Sequence, residues 1–419
     1  MKKKLIASFV AIASILATSG CYNRALPVKN DQYFTGEVGK WTKCPIADQQ
    51  QRECEYVSVP LYKDSKENIK IAVAKVPARK ANEKKGTLVV VPGGPNTSGL
   101  SMTAGMTSFL PAEILDHYDI VSYDRRGVGR SGEMKCDDQP SSIDQLDQFA
   151  NVGEVQNYQG MTSDITNYIE KCAAKTDQIY AQGGSKMEAQ DLEYIRQNLA
   201  TDKISILAYS YGTLMAQSYL NLYGAHTDKV VLDSPFDSNI SGAQYAAKND
   251  PALGFPSKFN DGAVEPKLTD AQTEAATGLK ESDQGLPVSQ AYVCKDFKWS
   301  SELSQEAKDL NAQNPTQPGL AMDPFKAYAV CSALQSPAYV VGNAQPAAGS
   351  AKPLIIASTQ DQRATLDQAK AVASRTHGQL YEVPGNRHMI TGFGRPCAAE
   401  TVENFFVNST FDASKKCSS

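Results

Sequence analysis

Apolar positions along the chain gather into short runs separated by mixed stretches. Tyr56–Leu61 and Ile69–Val76 alternate or run apolar and read as an opening pair of strands. Thr87–Val91, Tyr118–Tyr123, Ile204–Ala208, Lys229–Asp233, Pro353–Ala357 and Gln379–Val383 follow. Several of these are continuous β-branched or aliphatic runs, the pattern of strands buried on both faces. Between them the spacing turns helical. Leu192, Ile195 and Leu199 mark one helix, Gly212–Tyr223 a second, Leu366–Ser374 a third, and Ala398, Val402, Phe405 and Phe406 a closing one. Eight strands alternating with helices predict an α/β fold, a mostly parallel eight-stranded sheet covered on both faces. Residues 237–345 break the rhythm. They are rich in Ala, Gly, Asp, Ser and Pro, carry no buried-strand run, and are too long for a loop. The expectation is a mainly helical cap at 237–345, inserted into a core made of 41–236 and 346–419.

The chain has 419 residues, 41% hydrophobic and 21% charged. That balance excludes a disordered chain, a collagen-like repeat and a multispan membrane protein. Net charge is -4, with basic and acidic residues interleaved, so nucleic acid is not an expected partner. The N-terminus changes the picture more. Three lysines precede an uncharged apolar run, Leu5–Ala17, and then Thr18-Ser19-Gly20-Cys21. This predicts a signal peptide over 1–20, too short to remain as a membrane span. Cys21 after small residues resembles a bacterial lipidation site, with plain cleavage nearby as the alternative. Lipid at Cys21 would be the protein's only membrane contact, followed by a polar tether over 21–40. The expected location is the cell envelope, or otherwise outside the cell. Nine cysteines, many for a reducing cytosol, agree with export. Setting Cys21 aside leaves Cys44, Cys54, Cys136, Cys172, Cys294, Cys331, Cys397 and Cys417, enough for four disulfides of many possible connectivities. None of the cysteines or histidines has metal-ligand spacing, so no metal is expected.

Ala208-Tyr209-Ser210-Tyr211-Gly212 lies between a strand and a helix. It has the form of a nucleophile elbow, where small flanking residues permit a turn that thrusts Ser210 out at the sheet edge. In such sites the acid and then the histidine follow the serine along the chain. Of the four histidines, His388 follows the last strand, at the edge where a general base must sit. His377 precedes that strand and belongs at the opposite edge; His117 and His226 come too early. Asp361 follows the Pro353–Ala357 strand and is placed to orient His388. Asp233, ending an earlier strand, is the alternative acid, with turn capping as its other role. Asp367 falls inside a helix. An oxyanion would need backbone N–H donors. Tyr211 is one candidate and Gly94, in Pro92-Gly93-Gly94-Pro95, the other, because Pro95 has no N–H.

Together these residues resemble the α/β-hydrolase peptidases related to proline iminopeptidase, and most of all the secreted bacterial tripeptidyl aminopeptidases. The resemblance runs from about Trp41 to Cys417. It is carried by Trp41–Cys44, Val59–Leu61, Gly93–Pro95 with Ser98-Gly99, Asp124–Ser131, Gln190–Glu193 with Arg196, Ser210–Thr213, and the Asp361 and His388 regions. Two positions depart from the family pattern, Asn96 and Ala208, where glycines are usual. The resemblance implies a Ser210–Asp361–His388 triad and release of short N-terminal peptides or single residues from peptides with a free N-terminus. An esterase or amidase using the same triad is the alternative, and a non-catalytic surface binding protein a further one. No cofactor is implied: there is no phosphate loop and no dinucleotide fingerprint. On the fold map the cysteines fall into neighbouring pairs: 44 with 54, 136 with 172, 294 with 331, and 397 with 417.

Overall fold

The apolar runs behave as strands buried on two sides. In β4 (Gly86–Val91), Val89 and Val91 enter one apolar layer while Leu88 and Val90 enter the other. The computed structural model describes residues 36–44, 52–105, 110–132, 134–249, 285–313, 315, 321–334, 339–391 and 396–417. The expected signal peptide, Cys21 and most of the tether lie outside the described residues.

The sheet has nine strands rather than eight. They are β1 (Thr42–Lys43), β2 (Glu53–Pro60), β3 (Asn68–Val76), β4, β5 (Tyr118–Tyr123), β6 (Ile204–Tyr209), β7 (Thr227–Asp233), β8 (Leu354–Ser358) and β9 (Gln379–Val383), in spatial order 1-2-3-5-4-6-7-8-9. The unexpected strand, β1, pairs antiparallel with Glu53 and Cys54; two residues are too few to carry a periodic signal. Cys44 therefore follows the first strand, and Cys54 lies within the second. The last tether residues join the same edge: Gly39 N–H donates to Tyr56 and Tyr56 N–H to Glu37, both at 3.1 Å. β2 and β3 run antiparallel to their neighbours, and the pairings from β5 to β9 are parallel. This is an α/β-hydrolase fold.

Helices Ser185–Asn198, Gly212–Tyr223 and Leu366–Thr376 cover one face through Leu192, Ile195, Met215, Tyr219 and Val372. Helices Ala112–His117 and Pro396–Glu403 cover the other through Ile114, Ala398 and Val402. A third apolar cluster lies beneath the insertion between β7 and β8. Here Tyr292, Phe297, Leu303, Leu310 and Phe325 pack with Met161, Ile165 and Tyr168 of helix Tyr158–Lys175. The insertion thus completes its core with the excursion that follows β5, and residue 237 marks no packing boundary. The reason is elementary: a few short amphipathic helices cannot bury their apolar faces alone. Disulfides Cys136–Cys172 and Cys294–Cys331 staple the two segments of this region, Cys44–Cys54 ties the β1–β2 edge, and Cys397–Cys417 fastens the tail to the last helix.

One buried acid in this region predicts a pH dependence of stability. Glu306, in helix Leu303–Gln313, accepts from the Ser332 hydroxyl through one oxygen, and its other oxygen has no hydrogen-bond partner among the described residues. Burial pushes its carboxyl up to about 8. A raised pKa means that the fold favours the protonated acid. Its stabilising contribution is whole below the unfolded value of 4.5 and is lost as pH rises through about 8. Glu306→Gln keeps the neutral shape and removes the titration. Its melting temperature is expected to gain on the parent's as pH rises from about 5 to 8. Parallel melting curves for the two proteins across that window would contradict the burial argument.

Candidate active site

Strand β6 runs straight into helix Gly212–Tyr223, and Ser210 occupies the turn at φ 51°. That left-handed backbone is costly for a residue with a side chain and is held here by packing on every side. The Ser210 N–H donates to the Asp233 carbonyl at 2.9 Å, and the Ser210 carbonyl accepts from Thr213 N–H at 3.0 Å. A side chain at Gly212 would place its Cβ 2.4 Å from the Pro92 carbonyl oxygen, so the helix approaches β4 only with glycine there. Ala208 is fully buried inside β6, where a methyl group is accommodated.

The other two expected residues meet Ser210 at the carboxyl ends of the strands. Asp361 lies three residues past β8 and His388 five residues past β9. His388 Nε2 is 2.7 Å from Ser210 Oγ, and His388 Nδ1 is 2.7 Å from Asp361 Oδ2. The second Asp361 oxygen accepts from the Arg363 and Ala364 N–H groups at 2.9 and 3.2 Å, which fixes the carboxylate's rotation. Ser210, His388 and Asp361 are 8, 7 and 4% exposed, so water screens these contacts little. Phe236 lies beside the imidazole, with ring centroids 6.2 Å apart.

The remaining candidates separate cleanly. His377 ends helix Leu366–Thr376 just ahead of β9, at the opposite edge of the sheet, and is exposed. His117 bonds the Glu83 carbonyl and His226 the Asp202 carbonyl. Asp367 lies in the first turn of a helix. Asp233 does not bond the imidazole. Its carboxylate accepts from the backbone N–H groups of Ile390 and Thr391 instead.

Of the two oxyanion candidates, Tyr211 follows Ser210 directly and Gly94 belongs to the turn that packs against it. Tyr211 starts the elbow helix, where N–H groups have no intrahelical acceptor. Opposite it, the Pro92–Pro95 turn presses on the serine: a Cβ on Gly93 would lie 2.9 Å from Ser210 Cβ. Gly94 sits at φ 106°, which turns the chain away immediately afterwards.

What holds this turn was not legible in the motifs. Arg125, buried and adjacent to β5, donates to the Pro92 carbonyl at 2.9 Å and to the Pro95 carbonyl at 2.8 Å. Its charge is balanced by Glu188, Nε to Oε1 3.3 Å, itself bonded by the Tyr123 hydroxyl. Burial pushes Glu188 up to about 7 against the pull of Arg125. Neighbouring Arg126 makes a bidentate pair with Asp191 at 2.6 and 2.8 Å and caps the Leu61 carbonyl at 2.7 Å. The Asp124–Ser131 and Gln190–Glu193 strings are therefore partners in space. Asp124 accepts from the Ser98 hydroxyl and from the N–H groups of Leu100 and Arg130, closing its own loop. Tyr211, besides following the serine, donates its hydroxyl to Asp296 of helix Gly285–Asp296 at 2.5 Å. Ser185 also bonds Asp296, through its N–H and its hydroxyl.

Among the described residues no group of three or more His, Cys, Asp or Glu side chains is arranged to hold a metal ion. The chemistry available is that of a serine, an imidazole and a carboxylate in one hydrogen-bonded line.

A family model described as alpha/beta hydrolase fold matches residues 86–394, most of the chain. The chain belongs to the alpha/beta hydrolase family. Two curated relatives of this hydrolase are the serine protease Hip1 of Mycobacterium tuberculosis and the tripeptidyl aminopeptidase of Streptomyces lividans. Hip1 is 27% identical over 237 residues, 55% of this chain and 45% of the relative. The Streptomyces protein is 28% identical over 214 residues, 50% of this chain and 40% of the relative. The matched region thus spans less than half the length of either. A solved serine hydrolase from Cycloclasticus zankles aligns with a TM-score of 0.43 at 14% identity, over 86% of this chain and all of that one. The chain thus belongs to the alpha/beta hydrolase family and is similar over part of its length to a serine protease and to an aminopeptidase.

Proposed function

We propose that this hydrolase is an exported serine exopeptidase that releases short N-terminal peptides, or single residues, from peptides with a free N-terminus. The observation that carries the reading is the continuous line from Ser210 through His388 to Asp361. In it Ser210 Oγ attacks the scissile carbonyl and His388 Nε2 takes its proton. Asp361 holds the Nδ1 tautomer and stabilises the imidazolium that forms. The tetrahedral oxyanion is met by the Tyr211 N–H and by the Gly94 N–H. His388 then returns the proton to the departing amine, and water releases the acyl group by the same steps in reverse. Peptidase chemistry is supported by the relatives named a serine protease and a tripeptidyl aminopeptidase. Four disulfides support a location outside the reducing cytosol.

The test is a mass-spectrometric profile of peptides with free and blocked N-termini, set against short acyl esters. Free peptides of the Ala-Ala-Pro type are expected to lose one to three residues, and N-acetylated copies to survive. Cleavage of the esters with all peptides intact would replace this reading by the esterase one.

A further inference from the structure

Between the nucleophile and the base stands a residue that the proposed chemistry leaves unused. Asp233 ends β7 and is fully buried. Its backbone carbonyl accepts the Ser210 N–H at 2.9 Å. Its carboxylate faces the segment just after His388. Oδ1 and Oδ2 each accept from the Ile390 N–H at 3.0 Å, and Oδ2 accepts from the Thr391 N–H at 2.7 Å and from the Thr391 hydroxyl. Ser234 adds to the clasp. Its hydroxyl donates to Asp233 Oδ1 at 3.0 Å and accepts the Met389 N–H at 2.9 Å. Ser234 and Met389 both hold left-handed backbone, at φ 53° and 59°, and the Ser234 N–H is tied to the Ile356 carbonyl in β8.

Three successive N–H groups after the histidine thus end on two adjacent side chains. Such convergence on one buried carboxylate is costly unless every lone pair is used, and here the oxygens are saturated. The same residue reaches the serine through its main chain. We propose that Asp233, with Ser234, is a positioning element that sets the Ser210–His388 separation by clamping residues 389–391 against the end of β7. This rests on the triad reading above and assigns Asp233 no contact with substrate. Its effect is geometric. The loop carrying His388 has no strand pairing of its own beyond β9. Its start is tied through Gly385, whose carbonyl accepts the Gln360 N–H at 2.8 Å and whose N–H donates to the Thr359 hydroxyl at 3.2 Å, and the clasp ties its other end, next to the imidazole. A displacement of about 1 Å between reacting groups costs about 100-fold in rate.

Asp233→Asn is the informative variant. An amide keeps the size but offers one acceptor oxygen where the N–H groups need two. Ser234→Ala is the second, a smaller change that removes the acceptor for Met389 and one hydroxyl donor to Asp233. Both are to be compared with the parent enzyme for melting temperature and for the rate and pH profile of covalent labelling by a fluorophosphonate, at a temperature where all are folded. The expected result is labelling slowed by about 100-fold in Asp233→Asn and by about 10-fold in Ser234→Ala. The midpoint of the pH profile should shift as well, because His388 loosens from Asp361. A residue that served stability alone would lower the melting temperature and leave the labelling rate and its pH midpoint where they were, and that outcome in either folded variant overturns the proposal. If the parent itself is not labelled at Ser210, the triad reading fails, and the proposal falls with it.

Discussion

Ser210→Ala is expected to abolish labelling by a fluorophosphonate and to lower kcat by about 10⁶-fold, while the protein melts within a few degrees of the parent. The size follows from the geometry. Ser210 Oγ lies 2.7 Å from His388 Nε2, and it stands on a turn that removes it from the bulk of the sheet. His388→Ala should cost about as much, and the double variant no more than either, because the two groups act as one unit. The non-additivity is the sharper measurement. If the double variant were slower than each single one by the product of their effects, the two residues would be acting in separate steps. Undiminished labelling of Ser210→Ala would place the nucleophile elsewhere.

Arg125→Met is expected to destabilise the protein by about 3–5 kcal/mol in urea unfolding and to slow labelling of the protein that remains folded. Two costs combine. Glu188 is left as an uncompensated buried carboxylate, and the Pro92 and Pro95 carbonyls lose their donor. Adding Glu188→Gln separates them. Neutralising the acid should recover a large part of the stability, since a buried charge no longer stands alone. It should recover none of the labelling rate, because the Pro92–Pro95 turn beside Ser210 still lacks its brace. A double variant restored in both respects would mean that Arg125 serves only to balance Glu188.

How much of this was legible beforehand depends on whether the signal was local. Strand runs such as Thr87–Val91 and Ile204–Ala208 announce themselves because burial on both faces leaves few polar positions within the run. The elbow is legible for a similar reason: small residues around Ser210 answer a steric demand that arises within five residues. β1 escaped because two residues carry no period. The shared core beneath the insertion escaped because Met161, Ile165 and Phe325 look alike in sequence whichever surface they cover.

Ser210, His388 and the order of the fold were thus determined by the sequence itself, through periodicity, turn sterics and the scarcity of histidines. The choice between Asp361 and Asp233 was different. Both follow strands at the same edge, and only the approach of Asp361 to Nδ1, 2.7 Å, separates the carboxylate that faces the imidazole from the one that faces its backbone. The neighbouring cysteine pairs expected from the fold map are the ones the structure joins, whereas the role of Arg125 was likewise decided in three dimensions. In each case the deciding quantity is a distance between groups far apart along the chain, and a distance of that kind exists only once the sheet has brought them together.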